Sequence, residues 1–244
     1  MKKIKFLSLL TLSFLMAATT FAQTADEIVA NHITAIGGAD NWKKVNNMRQ
    51  EAILSVQGMD IESKSSVLVG KGFRTEVEVM GAKIITAING DSGWMLRPTM
   101  MGGTGEPEMM PADQVKMASS QKNIGSALII AQKEGDTIEL ISKEKLDGAD
   151  VYLLKVNKPN GDESQIYVSA STYFIVKVAG KVKVNGQDVD SEVVYSNYKA
   201  VDGLFFPHSM ETASPMGGGM MTVDTVSIEI NPAIDEKIFT KPTK

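Results

Sequence analysis

The chain has 244 residues, with 25 basic and 29 acidic side chains, a formal charge of -4 and no cysteine. Without cysteine there can be no disulfide, thiol nucleophile or thiolate metal site. The acidic balance is a poor match for nucleic acid or an anionic membrane surface.

The N-terminus reads as a targeting segment. Lys2, Lys3 and Lys5 form a positive end, residues 6–16 are apolar, and small residues follow to Ala22. This is the pattern of a secretory signal peptide over residues 1–22, with cleavage expected between Ala22 and Gln23. Its apolar run is too short to span a bilayer, and no later segment is long and apolar enough to do so. Removal of residues 1–22 leaves 22 basic against 29 acidic side chains, a formal charge of -7. Residues 23–244 are expected to form one exported, monomeric domain, long enough to bury a core without disulfides.

A helix opens that domain. Thr24 and Glu27 have the T-x-x-E spacing of a capping box. Ile28, Val29, His32, Ile33 and Ile36 follow at helical period, and Gly37-Gly38 ends the run. A short turn over 39–45 carries Trp42. Strands are predicted at 48–56 and 61–69 around Gln57-Gly58-Met59-Asp60, and at 73–80 and 83–89 around Gly81-Ala82. Phe73, Thr75, Val77 and Val79 alternate with Arg74, Glu76 and Glu78, the signature of a sheet with one wet face. Glu76 and Glu78 therefore read as solvated. A further strand covers 93–97.

Residues 111–131 interrupt the strands with one or two helices. Pro111 begins them, Asp113 lies in the first turn, and the apolar positions include Val115, Ile124 and Leu128. Strands resume at 137–146, 151–157, 164–169, 174–184, 189–198 and 220–230. Asp147-Gly148, Asn185-Gly186 and Asp202-Gly203 supply turns between them. His208 follows Pro207 at a strand start. The spacing implies an antiparallel barrel or open half-barrel, mainly β with α.

Two loops concentrate methionine beside glycine. One holds Met100, Met101, Met109 and Met110 and follows Met95 and Arg97; the other holds Met216, Met220 and Met221 around Gly217–Gly219. Methionine is unbranched and polarizable, so it suits an apolar surface that changes shape. Glycine frees the backbone around it. These residues, with 111–131, are the candidate rim and lid of an apolar site. The competing reading makes them hairpin tips with incidental methionines.

Known catalytic and cofactor patterns are missing. There is no G-x-S-x-G elbow, P-loop or dinucleotide fingerprint. His32 sits on a helix stripe, where a packed, hydrogen-bonded histidine is the usual outcome. Two distant histidines without cysteine make a zinc site a poor expectation. No enzyme activity, catalytic residue, cofactor or metal is expected. A rival for the methionines is Cu(I), with Met216, Met220, Met221, His208 and Met210 as ligands.

Several stretches resemble one family. They are Ala25-Asp26-Glu27-Ile28-Val29 through Ile36-Gly37-Gly38-Ala39, residues 89–95 (Asn-Gly-Asp-Ser-Gly-Trp-Met), residues 167–177, residues 197–207 (Asn-Tyr-Lys-Ala-Val-Asp-Gly-Leu-Phe-Phe-Pro), and Ile230-Asn231-Pro232 through Phe239. Together they resemble the LolA-like periplasmic proteins, in particular the Bacteroidetes outer membrane lipoprotein-sorting branch. Ser169 stands where that family usually has aspartate. The resemblance implies an incomplete antiparallel β-barrel with helices covering its concave face, and a periplasmic location. It also implies a carrier or binding role for lipoprotein acyl chains or other lipids, with envelope membrane proteins as donor or acceptor. Family carriers place an arginine in the cavity; of Arg49, Arg74 and Arg97, Arg97 is the candidate because it adjoins the methionine loop.

Two strands are apolar on both faces: Ile84 and Ile88 against Ile85 and Ala87, and Val151 and Leu153 against Tyr152, Leu154 and Val156. A half-barrel with helices and a ligand groove would account for this, as would burial under helices or a partner protein. Full burial of roughly fourteen methylenes is worth on the order of 11 kcal/mol. A carrier that must release its load therefore fits partial enclosure under a movable lid. The alternative to a carrier is an envelope interaction or sensor module on the same fold.

Overall fold

The computed structural model describes residues 23–184, 187–214 and 219–243. The expected signal peptide, the Asn185-Gly186 turn and Met216 lie outside the described residues. No helix among the described residues is long and apolar enough to cross a membrane.

Helix α1 (Ala25–Ala35) carries the expected capping box: Thr24 accepts from the Glu27 amide, and the Glu27 carboxylate accepts from the Thr24 amide. Such a cap is worth about 1 kcal/mol. A one-turn helix, α2 (Ala39–Trp42), follows. The strands are β1 (Asn47–Val56), β2 (Met59–Leu68), β3 (Gly72–Val79), β4 (Ala82–Asn89), β5 (Ser92–Leu96) and β6 (Glu108–Met109), then β7 (Thr137–Leu146), β8 (Ala149–Asn157), β9 (Glu163–Ser169), β10 (Ile175–Val184), β11 (Gln187–Val201), β12 (Leu204–Ala213) and β13 (Met220–Ile230). Helices α3 (Ala112–Ala118) and α4 (Ala127–Glu134) lie between β6 and β7.

All thirteen strands form one antiparallel sheet in the order β6-β5-β4-β3-β2-β1-β13-β12-β11-β10-β9-β8-β7. Neighbours in sequence are neighbours in space, with one exception. The first and last strands close on each other in the middle, with Met48 opposite Ile230 and Val56 opposite Met221. The edges β6 and β7 do not meet, so the barrel is open, as expected.

The turns are tighter than the sequence reading placed them. Gln57-Gly58 and Met80-Gly81 both lie in the left-handed region, with φ of +52° and +76°, then +53° and +78°. That is the two-residue hairpin turn whose twist matches the flanking strands. Met59 and Asp60 therefore belong to β2, and Met80 rather than Ala82 makes the second turn. Pro207 does not begin a strand; it lies inside β12. It pairs with Tyr198 of β11, whereas the β13 ladder starts only at Ser209 opposite Asp224. A residue without an N–H is tolerated where one neighbour has not yet begun to pair.

The β6-to-β7 connection runs from one edge of the sheet to the other across the inner face. Val115 and Ala118 of α3 pack on Val67, Phe73 and Ile88. Leu128 and Ala131 of α4 pack with Ile28 and Val29 of α1 on Leu154, Ile166 and Val168. Ile36, Trp42 and Val45 rest on Leu204 and Phe206. A fourth cluster, Val56, Ile61 and Val79, includes no α-helix residue; Met101 and Met221 pack against it instead.

The outer face over β3–β5 is not wet. Residues 231–243 cross it. Phe239 is buried against the backbone of Gly72, where an added Cβ would come within 2.8 Å of the ring. The Trp94 indole donates to the Phe239 carbonyl at 2.9 Å, and Arg74 donates to the Ile238 carbonyl at 3.1 Å while lying over the Trp94 ring. Glu76 is half-buried and ion-paired to Arg74 at 2.9 Å and to Lys83 at 2.7 Å. The Lys83 hydrogen bond and then Arg74 hold its carboxyl below the usual range. The expectation of a solvated Glu76 is thus corrected; Glu78 does remain exposed. The outward apolar side of β4 is explained by the same feature: Ile85 and Ala87 cluster with Trp94 beneath the chain's own C-terminal segment.

Candidate functional site

A partly open cavity of about 260 Å³ lies on the inner face of the central strands. Its sheet wall includes Met48 and Gln50 of β1, Ile228 of β13, Phe206 and Met210 of β12, Tyr195 and Tyr198 of β11 and Val178 of β10. Its roof is the stretch 123–127 between α3 and α4, with His32, Ile36 and Trp42 from the N-terminal helices. The sheet wall follows from register. Met210 is opposite both Tyr195 and Val223, and Gln50 is opposite Ile228, so these side chains share one face of the pleat.

The roof is a break in the helical connection. After Lys122 the chain extends through Asn123, and Gly125 takes a φ of +137°, a conformation strained for any other residue. Ser126 then caps α4, accepting from the Ile129 amide at 3.3 Å. The apolar run starting at Ile124 is helical only from Ala127, because Ser126 is the cap.

His32 pins this roof. It is fully buried, with Nδ1 2.7 Å from the Tyr173 carbonyl and Nε2 2.8 Å from the Ser126 hydroxyl. A carbonyl only accepts, so Nδ1 carries the proton and the Ser126 hydroxyl donates to Nε2. Burial pushes the His32 pKa down, against the opposing effect of the Tyr173 carbonyl. Other polar groups are also committed. Gln50 Nε2 donates to Thr225 Oγ1 at 2.8 Å, Trp42 Nε1 to the Ile36 carbonyl at 3.1 Å, and the Tyr198 hydroxyl to the Ile175 carbonyl at 2.7 Å. Burial, then the nearby Tyr195, raises the Tyr198 pKa well above the ordinary phenol value.

The residues singled out from the sequence fall into separate places. Ile124 lines the cavity. Leu128 is fully buried beneath it in the α1–α4 cluster, and Val115 and Met110 belong to the α3 cluster. Met101 and Met221, distant in sequence, meet on the Val56–Ile61–Val79 cluster. Met100, Met109 and Met220 are exposed, at 68%, 57% and 59%. Met95 is half-buried on β5, and Arg97 is exposed just after it. No arginine lines the cavity. Arg74 is on the outer face as described, and Arg49 pairs with Glu229 at 3.1 Å. Ser169, in the aspartate position, accepts from the Thr172 amide at 3.3 Å and so holds its turn. Among the described residues, no three His, Asp or Glu side chains form a metal-binding group.

The sheet wall itself was missed. Gln50, Tyr195, Met210 and Ile228 carry no local motif. Their one signal is alternation along β1 and β11–β13, which shows that they share a face but not that the face holds a cavity.

No family model matches the chain, and no curated protein does. Solved structures do. A LolA superfamily protein from Nitrosomonas europaea aligns with a TM-score of 0.58 at 14% identity, over 90% of this chain and 99% of that one. A DUF1329 family protein from Desulfovibrio piger gives 0.56 at 13%, covering 89% and 98%. A putative outer membrane lipoprotein-sorting protein domain from Vibrio parahaemolyticus gives 0.54 at 14%, covering 88% and 95%. At such identities the likeness concerns architecture and no particular branch: the chain has the open half-barrel fold of LolA-like proteins.

Proposed function

We propose that this protein is a periplasmic carrier or binding protein for the acyl chains of lipoproteins or other lipids. The observation that carries this reading is the cavity of about 260 Å³, walled by Met48, Val178, Phe206, Met210 and Ile228 and, among the described residues, lined by no Lys, Arg, Asp or Glu. An apolar concavity with a few placed polar groups is the usual form of a small-ligand site. The volume lies just below the usual range of roughly 300–1,000 Å³ for such a site. It accepts part of an alkyl chain, and more as the 123–127 roof lifts.

The exposed methionines support the same reading. The β1–β2 and β3–β4 turns, the chain after β5 and the start of β13 all lie at one end of the sheet. Met59, Met80, Met100 and Met220 are all exposed there. A yielding apolar rim suits entry and release of an alkyl tail. The likeness to LolA-like structures is consistent with this role, and a secretory signal over residues 1–22 would place the protein in the periplasm.

The test is to purify the chain lacking residues 1–22 without detergent, extract it into organic solvent and analyse the extract by mass spectrometry. Titration with fluorescent fatty-acyl probes accompanies it. Co-purifying lipid or saturable probe binding is expected. Absence of both would remove the carrier reading.

A further inference from the structure

Resting on the carrier reading, we propose that Tyr195 is the headgroup-selecting residue, and that the cavity takes an uncharged, ester- or amide-linked acyl group in preference to a free carboxylate.

The argument begins with charge. Among the described residues, no Lys, Arg, Asp or Glu lines the cavity. Burial keeps the His32 ring neutral, and both its nitrogens are occupied by Tyr173 and Ser126. A carboxylate placed there loses its hydration and meets no cation, so its charged form is disfavoured in a poorly solvated site.

The remaining hydrogen-bonding capacity then identifies the ligand's polar part. The single donors of Trp42 and Tyr198 are already spent, and Gln50 has given one of its two amide hydrogens to Thr225. The Tyr195 hydroxyl makes no hydrogen bond within the described residues, and Tyr195 lines the cavity from β11 opposite Met210. Burial raises its pKa, so it remains a neutral O–H donor. A neutral hydroxyl donor without a protein partner in an apolar trough matches a neutral acceptor, and a carbonyl oxygen attached to an alkyl chain is such a group.

Displacement of the neutral fluorophore N-phenyl-1-naphthylamine at pH 8 tests this on the chain lacking residues 1–22. Dodecanoic acid is compared with its methyl ester. The ester should compete at least about tenfold more tightly. Tyr195→Phe should weaken the ester by roughly three- to tenfold, leaving dodecanoate and the melting temperature unchanged. Equal or tighter binding of dodecanoate, or an ester affinity untouched by Tyr195→Phe, overturns the inference and leaves the carrier reading standing. If neither ligand competes and no lipid co-purifies, the carrier reading falls and the inference with it.

Discussion

Ser126→Ala is the most informative single change to the roof of the cavity. The hydroxyl does two jobs. It accepts from the Ile129 amide as the cap of α4, and it donates to Nε2 of a histidine that is 0% exposed. Loss of the cap costs about 1 kcal/mol. The change also strands the buried Nε2 acceptor, at about 1–3 kcal/mol. The two losses sum to about 2–4 kcal/mol, a large part of the roughly 5–15 kcal/mol that holds a domain folded. Urea unfolding followed by tryptophan fluorescence measures the cost, and a double-mutant cycle separates its parts. In a His32→Leu background no acceptor is left to strand, so Ser126→Ala should cost only the cap. The coupling is therefore expected to be about 1–3 kcal/mol. A cost that is the same in both backgrounds would refute the idea that His32 and Ser126 hold the roof as a unit.

Three further outcomes are expected. His32 is harder to protonate folded than unfolded. Between its two pKa values the unfolded chain binds more protons, so stability is full above the unfolded value near 6.5 and falls as pH drops through the folded one. The slope is at most about 1.4 kcal/mol per pH unit, and His32→Leu should flatten it in urea titrations run from pH 7 to pH 5. Phe239→Ala should cost about 3–5 kcal/mol and shift Trp94 emission to the red, since it empties the site over Gly72; a cost under about 1 kcal/mol would mean that residues 231–243 do not seal the outer face. Met80→Gly should add up to about 1 kcal/mol of stability, read as a higher urea midpoint at unchanged slope, because Met80 holds a φ of +53° and is 82% exposed, so it loses little packing.

What was legible in the sequence was what neighbouring residues decide among themselves. The capping box at Thr24, the alternation from Phe73 to Val79 and the Gly-containing turns predict elements that the structure contains. Boundaries moved where a local choice depended on twist, as at Met80. The helix after Ser126 began later than its apolar residues suggested, because a serine that caps cannot also be interior.

The candidate site was far less legible. The methionine loops drew attention by composition, yet their described methionines are divided between an exposed rim and two packed clusters. The cavity is walled by ordinary strand residues whose meaning comes from their partners.

The sequence by itself determined an antiparallel sheet, closed barrel or open half-barrel, with a helical interruption, since period and turn chemistry are properties of residues adjacent in the chain. Only the tertiary structure decided that β1 closes on β13, that the β6-to-β7 connection crosses the inner face, and that residues 231–243 cover the outer one. Each of these joins segments far apart in sequence, and the burial that selects them exists only once every strand is in register.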